Sequence, residues 1–238
     1  MSLDTLKGWL KAGETPASRR LFGLARRIRI LQLPRLTFPF RSLYALHIGL
    51  TSVWATLCRL GYYTPLFKAR LSRDAPGLYL YSGLPQVSGP LTITLGKNCR
   101  VSGQSSLFGR SGRSPVSLTV GDNCDIGWQN TIAVGTRVTL GNNVRLAGRC
   151  QLAGFPGHPL DPEQRALGAP ETPEQRGPIV LEDDVWLCTG VTVLAGVTIG
   201  RGTVVATGSV VTRSLPAGVL AGGIPARVIR PLNRRTSV

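Results

Sequence analysis

Histidine is nearly absent from this chain: 238 residues hold two, His47 and His158. A zinc site built from three histidines is thereby excluded. Aromatic residues make up only 6%, against 29 glycines, which suits short strands and tight turns better than a helical bundle. The five cysteines (Cys58, Cys99, Cys124, Cys150 and Cys188) include no CxxC pair, and their number is odd. They read as buried free thiols in a reducing compartment rather than as a disulfide framework. Long apolar runs are missing as well. The best, between Arg41 and Arg59, has 17 uncharged residues and includes Ser42, His47, Gly49, Thr51, Ser52 and Thr56. A bilayer span needs about 20 predominantly apolar residues. The opening MSLDTLKGWLKAGETP reads as no secretory leader, because charges interrupt each apolar run.

Acidic residues are also scarce, 12 against 28 Lys and Arg, and the imbalance is concentrated. Residues 1–75 carry 13 of the basic residues and 3 of the acidic ones. Such clustering points to a polyanionic partner. No helix-turn-helix, zinc or RNP pattern accompanies it, so nucleic acid is not expected. Residues 1–80 also lack the glycine loop of a nucleotidyltransferase. The segment reads as proline-broken helices. Arg19, Arg20, Arg26, Arg27 and Arg29 alternate with Leu, Phe and Ile. Further on, Leu43, Leu46, Leu50, Val53, Trp54 and Leu57 fall at helical spacing. A basic amphipathic helix with a Trp suits an anionic membrane surface. The same stripe would equally serve packing against the rest of the chain or another subunit. His47 reads as an ordinary helix histidine.

From Leu91 the pattern changes. Leu181, Leu187, Val193, Ile199, Val205 and Val211 stand six apart without error. The register recurs at Leu140, Leu146 and Leu152, at Val120 and Ile126, at Val134 after a two-residue insertion, and more faintly at Leu95 and Val101. A period of six fits a flat-sided coil of short strands with inward anchors and small corner residues, the hexapeptide β-helix pattern. Residues 91–216 would make about five 18-residue coils, roughly 24 Å of prism at one strand layer per coil. The repeat stops at Gly154 and resumes after Pro178, and AGFPGHPLDPEQRALG lies in that gap. An excursion of about 25 residues is uncommon in a compact domain and usually functional or disordered.

The segment PIVLEDDVWLCTGVTVLAGVTIGRGTVVATGSVVTRSLPAGVLAGGIPARVIR resembles the C-terminal signature of hexapeptide-repeat O-acetyltransferases, with the maltose, galactoside and surface-polysaccharide acetyltransferases as near relatives. The resemblance implies a mainly β fold: a left-handed parallel β-helix with an N-terminal α-helical extension. It also implies a homotrimer with active sites between neighbouring prisms, acetyl-CoA as donor and no metal. The expected organisation is a basic helical region over residues 1–80, a β-helix domain over 81–216 with a catalytic loop at 154–178, and a CoA-binding tail over 217–238. GHPLDP matches the loop position that carries the family's catalytic histidine, which makes His158 the general base. Histidine suits that task at neutral pH.

Further carry-overs follow the same motifs. Trp186 matches the tryptophan beside the active site, a place that simple packing would also explain. A backbone N–H near Cys188–Thr189 would face the developing oxyanion. Thr207 and Thr212 match the lining of the pantetheine arm. Arg227 and Arg230, with Arg213 as a further candidate, match basic residues facing the CoA phosphates. Gln129 and Asn130 lie near an acceptor-binding amide. Asp161 or a backbone carbonyl would orient His158. Cys188 stands where relatives have glycine and reads as a corner residue rather than a nucleophile. LEDD and LC replace the commoner Ile-Gly pairs, a departure expected to widen two corners. The acceptor-binding head of the simple sugar acetyltransferases is missing. The expected reaction is therefore acetylation of a saccharide hydroxyl on a surface-polysaccharide, lipopolysaccharide or glycolipid precursor, at the inner face of the cytoplasmic membrane. The alternatives are acetyl transfer to a free sugar, serine or an antibiotic, and a non-catalytic β-helix scaffold.

Overall fold

The computed structural model describes residues 2–32, 35, 37–112 and 115–232. It divides into two units, 1–51 and 52–238. In the first unit, α1 (Leu3–Ala12) starts at Ser2, whose hydroxyl accepts the Thr5 N–H, and stops at Gly13 in the left-handed region. The helix α2 (Pro16–Arg29) opens with a reciprocal Thr15–Ser18 capping box and ends on Arg26, Arg27 and Arg29, where cations oppose the negative end of the helix dipole. The long helix α3 (Thr37–Cys58) begins in this unit and ends in the next. None of its residues is buried. The stripe expected from its sequence is present and open to solvent: Leu50 is 62% exposed and Trp54 69%. Among the described residues no helix is long and apolar enough to cross a membrane.

In the second unit a π-helical turn (Arg59–Tyr63) and α4 (Thr64–Lys68) lead into a solenoid of three sheets with eight, six and five strands, parallel throughout except for the closing strand Ala226–Pro231. Each of the first five coils contributes one strand to each sheet. The six-spaced anchors are the reason. Side chains alternate across a strand, so one residue per short strand points inward. In the eight-stranded sheet Leu80, Val101, Ile126, Leu146, Leu187, Val205 and Ala221 stack in register, and all seven are buried. Leu181, Leu187, Val193, Ile199, Val205 and Val211 are all fully buried, as their period requires.

The prism starts earlier than the repeat is legible. Its first strand is Tyr79–Tyr81, and Phe67, Ala75 and Leu78 already belong to its core. The early coils use longer strands, Leu91–Leu95 and Val116–Val120, which blur a strict period of six. Seven parallel strands from Tyr79–Tyr81 to Val219–Gly223 give a stack of about 28 Å. A hairpin closes it, with Ala226–Pro231 antiparallel to Val219–Gly223.

One corner is held by a polar ladder. The side-chain oxygens of Asp122, Asn142 and Asp183 accept, each at 2.8 Å, the backbone N–H of Lys97, Asp122 and Asn142 in the coil before. Glycine is required beside it: a Cβ on Gly141 would lie 2.5 Å from Asp183 Oδ1 and 2.6 Å from its backbone nitrogen. At the same place in the next coil stands Glu182. The expected widening does not occur. Glu182 N–H bonds Ile199 O at 3.0 Å, and its carboxylate accepts the Arg201 N–H at 2.8 Å. The LC corner is likewise closed, with Cys188 N–H on Val205 O at 3.0 Å. The five cysteines are free thiols; Cys99, Cys124 and Cys150 are buried, and Cys99 and Cys124 donate to the carbonyls of Gly121 and Gly141.

Candidate functional site

The excursion that carries His158 leaves strand Gln151–Ala153 of the six-stranded sheet and returns as Ile179–Leu181 of the five-stranded sheet. It is ordered by its own hydrogen bonds. Its two ends meet through Gly177 N–H on Gly154 O at 3.1 Å. A salt bridge between Glu171 and Arg176, 2.9 Å and mostly buried, closes the returning arm. Phe155 packs edge-on against Phe108. Around the histidine, Gln175 Nε2 donates to His158 O at 3.3 Å, and Arg165 Nη1 donates to the carbonyls of Pro159 and Leu160 at 3.0 Å. Pro159 is buried and His158 is exposed. The backbone is thus pinned while, among the described residues, no hydrogen bond engages the imidazole. Asp161 does not orient it. Its carboxylate caps the short helix α5 (Pro162–Ala166) by accepting the Gln164 N–H at 2.9 Å.

The corner between the eight- and six-stranded sheets gathers several other expected residues. Trp128, Gly148, Thr189 and Thr207 occupy one column along it: their neighbours' N–H groups climb the stack as Arg149 to Trp128 O, Gly190 to Gly148 O and Gly208 to Thr189 O. Beside them Gln129 and Arg149 take the left-handed conformation that the later coils give to Gly190 and Gly208. Gln129 Oε1 accepts from Arg149 Nε at 3.1 Å. Backbone strain at a non-glycine residue of this kind persists only where its surroundings hold it. Asn130 corrects the sequence reading. It is buried, with Oδ1 accepting the Cys150 N–H at 2.7 Å and Nδ2 donating to Gly127 O at 3.0 Å. Its amide faces inward and closes the corner, so it cannot touch an acceptor.

Trp186 lies on the outer face of the eight-stranded sheet, on the strand Trp186–Leu187, and is 48% exposed. The Cys188 N–H is spent on Val205 O, which leaves the Thr189 N–H as the donor at this place. Burial pushes the Cys188 thiol up, away from thiolate. Thr212 and Arg213 are exposed past the strand Val210–Val211. Arg227 and Arg230 are exposed on the closing hairpin, opposite Gly222 and Leu220. Within the single chain His158 and Trp186 belong to different faces, and the structure does not bring them together.

Sequence reasoning missed a hollow of about 300 Å³ on that same outer face. Its floor is Gly127, Ala147 and Gly148, and its walls are Tyr81, Arg100, Asp125, Trp128, Arg145 and Trp186. Arg100 pairs with Asp125 at 3.4 Å and lies over the Tyr81 ring. Tyr81 Oη donates to Asp125 Oδ1 at 3.5 Å, and burial together with the Asp125 charge pushes this phenol up to about 12. Tyr81 and Trp128 are in ring contact at 5.9 Å. Arg145 Nη1 donates to the carbonyls of Asn123 and Val144. A signal was available: Arg100, Asp125, Arg145 and Trp186 each immediately precede an inward anchor. Among the described residues no group of three or more His, Cys, Asp or Glu could hold a metal.

Against known proteins, residues 178–213 match the family described as bacterial transferase hexapeptide (six repeats). The galactoside O-acetyltransferase of Escherichia coli K12 is 37% identical over 105 residues, 44% of this chain and 49% of that protein. That of Lactococcus lactis is 31% identical over 102 residues, 43% of this chain and 44% of that one. The chain thus spans about half the length of the curated relatives it matches. Among solved structures, the N-acyltransferase AntD of Bacillus cereus, in complex with dTDP and 3-hydroxybutyryl-CoA, shares the fold. Its TM-score is 0.56 at 17% identity, over 72% of this chain and 89% of that one. Residues 178–213 thus carry the hexapeptide repeat that this family model describes, and the three-sheet prism continues the same coil from Tyr79 to Gly223.

Proposed function

We propose that the chain is an acetyl-CoA-dependent O-acetyltransferase that works as a homotrimer on a saccharide hydroxyl, in a surface-polysaccharide, lipopolysaccharide or glycolipid precursor. The observation that carries this reading is His158: one exposed imidazole held by an ordered excursion of about 25 residues from the prism. A hydroxyl attacks a thioester poorly unless a base removes its proton as the bond forms. His158 takes that proton. The oxygen bonds to the acetyl carbon, the carbon–sulfur bond breaks, and His158 returns the proton to the departing sulfur. The Thr189 N–H is the donor toward the charge that grows on the carbonyl oxygen. No covalent enzyme intermediate is needed, and the raised Cys188 thiol is not asked to form one.

The residues suit acetyl-CoA as donor. Thr207 and Thr212 offer exposed hydroxyls along the last coils, and Arg213, Arg227 and Arg230 offer guanidinium groups for phosphates. Gln129, exposed at its corner, is the amide we assign to the acceptor. The membrane location rests on the open apolar side chains of α3 and on the arginines of α2, whose Leu21, Phe22, Leu24 and Ile28 are exposed as well. The test is transfer of labelled acetyl from acetyl-CoA into glycan and lipid fractions of the source cell's membranes, with wild type beside His158→Ala. We expect label in a glycan-bearing fraction and a fall of about 10²–10⁴-fold in the variant. Equal transfer by both proteins removes His158 as the base. No transfer by the wild type into these fractions overturns the reading itself.

A further inference from the structure

We propose that the hollow on the outer face of the eight-stranded sheet binds an acidic sugar unit, one bearing a carboxylate or a phosphate ester, as the recognition subsite for the acceptor. The word acceptor rests on the acetyltransferase reading; the binding chemistry does not.

The sheet's outer face would be flat if each coil placed a long side chain there. Instead the floor positions are Gly127, Ala147 and Gly148, so about 300 Å³ opens between taller walls. Gly127 cannot be enlarged, since its Cβ would lie 2.6 Å from Leu146 O in the next coil. The volume suits one or two sugar rings rather than an extended polymer.

Two indoles bound the hollow, Trp128 51% exposed and Trp186 48%. Tryptophan is normally well withdrawn from water, and a half-open pair flanking polar groups gives flat apolar faces for the C–H side of a sugar ring. Between them stand two guanidinium groups and one carboxylate, a net positive charge. Arg100 is already matched by Asp125. Arg145 bonds through Nη1 only to carbonyl oxygens among the described residues, which leaves its charge uncompensated. A planar guanidinium held by carbonyls is prearranged for a carboxylate or phosphate. Asp125 and the neutral Tyr81 phenol remain to bond sugar hydroxyls.

Trp128 and Gly148 stand in the same corner column as Thr189 and Thr207. A sugar in the hollow therefore lies one coil from Thr189, whose N–H is proposed to face the thioester, and two from Thr207. A second hollow of about 380 Å³, lined by Trp54, Arg59, Tyr63 and Tyr79, shares Tyr81 with the first and continues it toward the end of α3. A longer acidic glycan would extend that way.

The experiment is tryptophan fluorescence titration of the full chain, without acetyl-CoA, by sodium glucuronate, glucose 1-phosphate and methyl glucoside. We expect at least one anion to bind about tenfold or more tighter than the neutral sugar. Preference for glucuronate assigns the charge to a carboxylate, and preference for the phosphate assigns it to an ester; either supports the site. Arg145→Gln should weaken the anions severalfold, and Trp128→Leu should weaken all three ligands. Asp125→Asn should strengthen the anions, a sign that loss of folding cannot mimic. Equal affinity for all three, no response to any, or weakening of the anions by Asp125→Asn would overturn the proposal. The outcome separates from the proposed function: acetyl transfer with no anion preference removes the subsite alone, whereas anion binding without any transfer removes the enzyme reading alone.

Discussion

The two apolar patterns of this chain meet opposite fates. In the prism, aliphatic residues six apart are withdrawn completely from water, and a polar ladder closes a corner. In α3, aliphatic and aromatic residues at helical spacing stay open over 22 residues. Both patterns are equally regular. The difference lies in what each can bury against. A coil of the prism stacks on the coils above and below, so its repeat supplies its own partner. A single helix supplies no such partner of its own, and apolar side chains left exposed on it stabilise nothing until another surface covers them. Burying one such side chain is worth about 1.5–3 kcal/mol, so regular apolar residues left open in a folded chain point outward, to a partner or a bilayer surface.

Three substitutions sharpen the contrast. The largest effect on stability is expected in the prism. Ile132→Ala empties a fully buried site and should lower the unfolding free energy by about 2–5 kcal/mol in a denaturant titration. Next comes Asn130→Ala, which leaves the Cys150 N–H and the Gly127 carbonyl without their buried partner. A loss of about 2–4 kcal/mol is expected, from unmatched polar groups rather than from a cavity. Its acetyl transfer per folded molecule should be unchanged, which separates a corner residue from an acceptor ligand. The smallest effect belongs to α3. Leu50→Glu should change stability by no more than about 0.5 kcal/mol, because the site is exposed already. It should nonetheless weaken co-sedimentation with phosphatidylglycerol vesicles. A large loss of stability, with vesicle binding intact, would mean that α3 packs against protein.

Much of the site could be read from the residues. The break in the repeat marks the excursion, and His158 is its exposed imidazole. The αL corners are legible where Gly190 and Gly208 fill them, yet Gln129 and Arg149 adopt the same conformation without announcing it. Asn130 shows the limit from the other side. A polar residue next to Gln129 is easily taken for a surface group, and only the closed corner turns its amide inward.

What the sequence determined by itself was the coil: a period of six fixes which side chain of each short strand faces the axis, and small or amide residues fix the corners. What the tertiary structure alone decided is which outward residues become neighbours. Tyr81, Arg100, Asp125, Arg145 and Trp186 stand roughly 20 to 40 residues apart along the chain, yet four of them share one register line and all five wall one hollow. Their meeting depends on the length of every coil between them, including the early coils of irregular length and the whole excursion through His158. A local period sets the direction of a side chain; only the accumulated register sets its company.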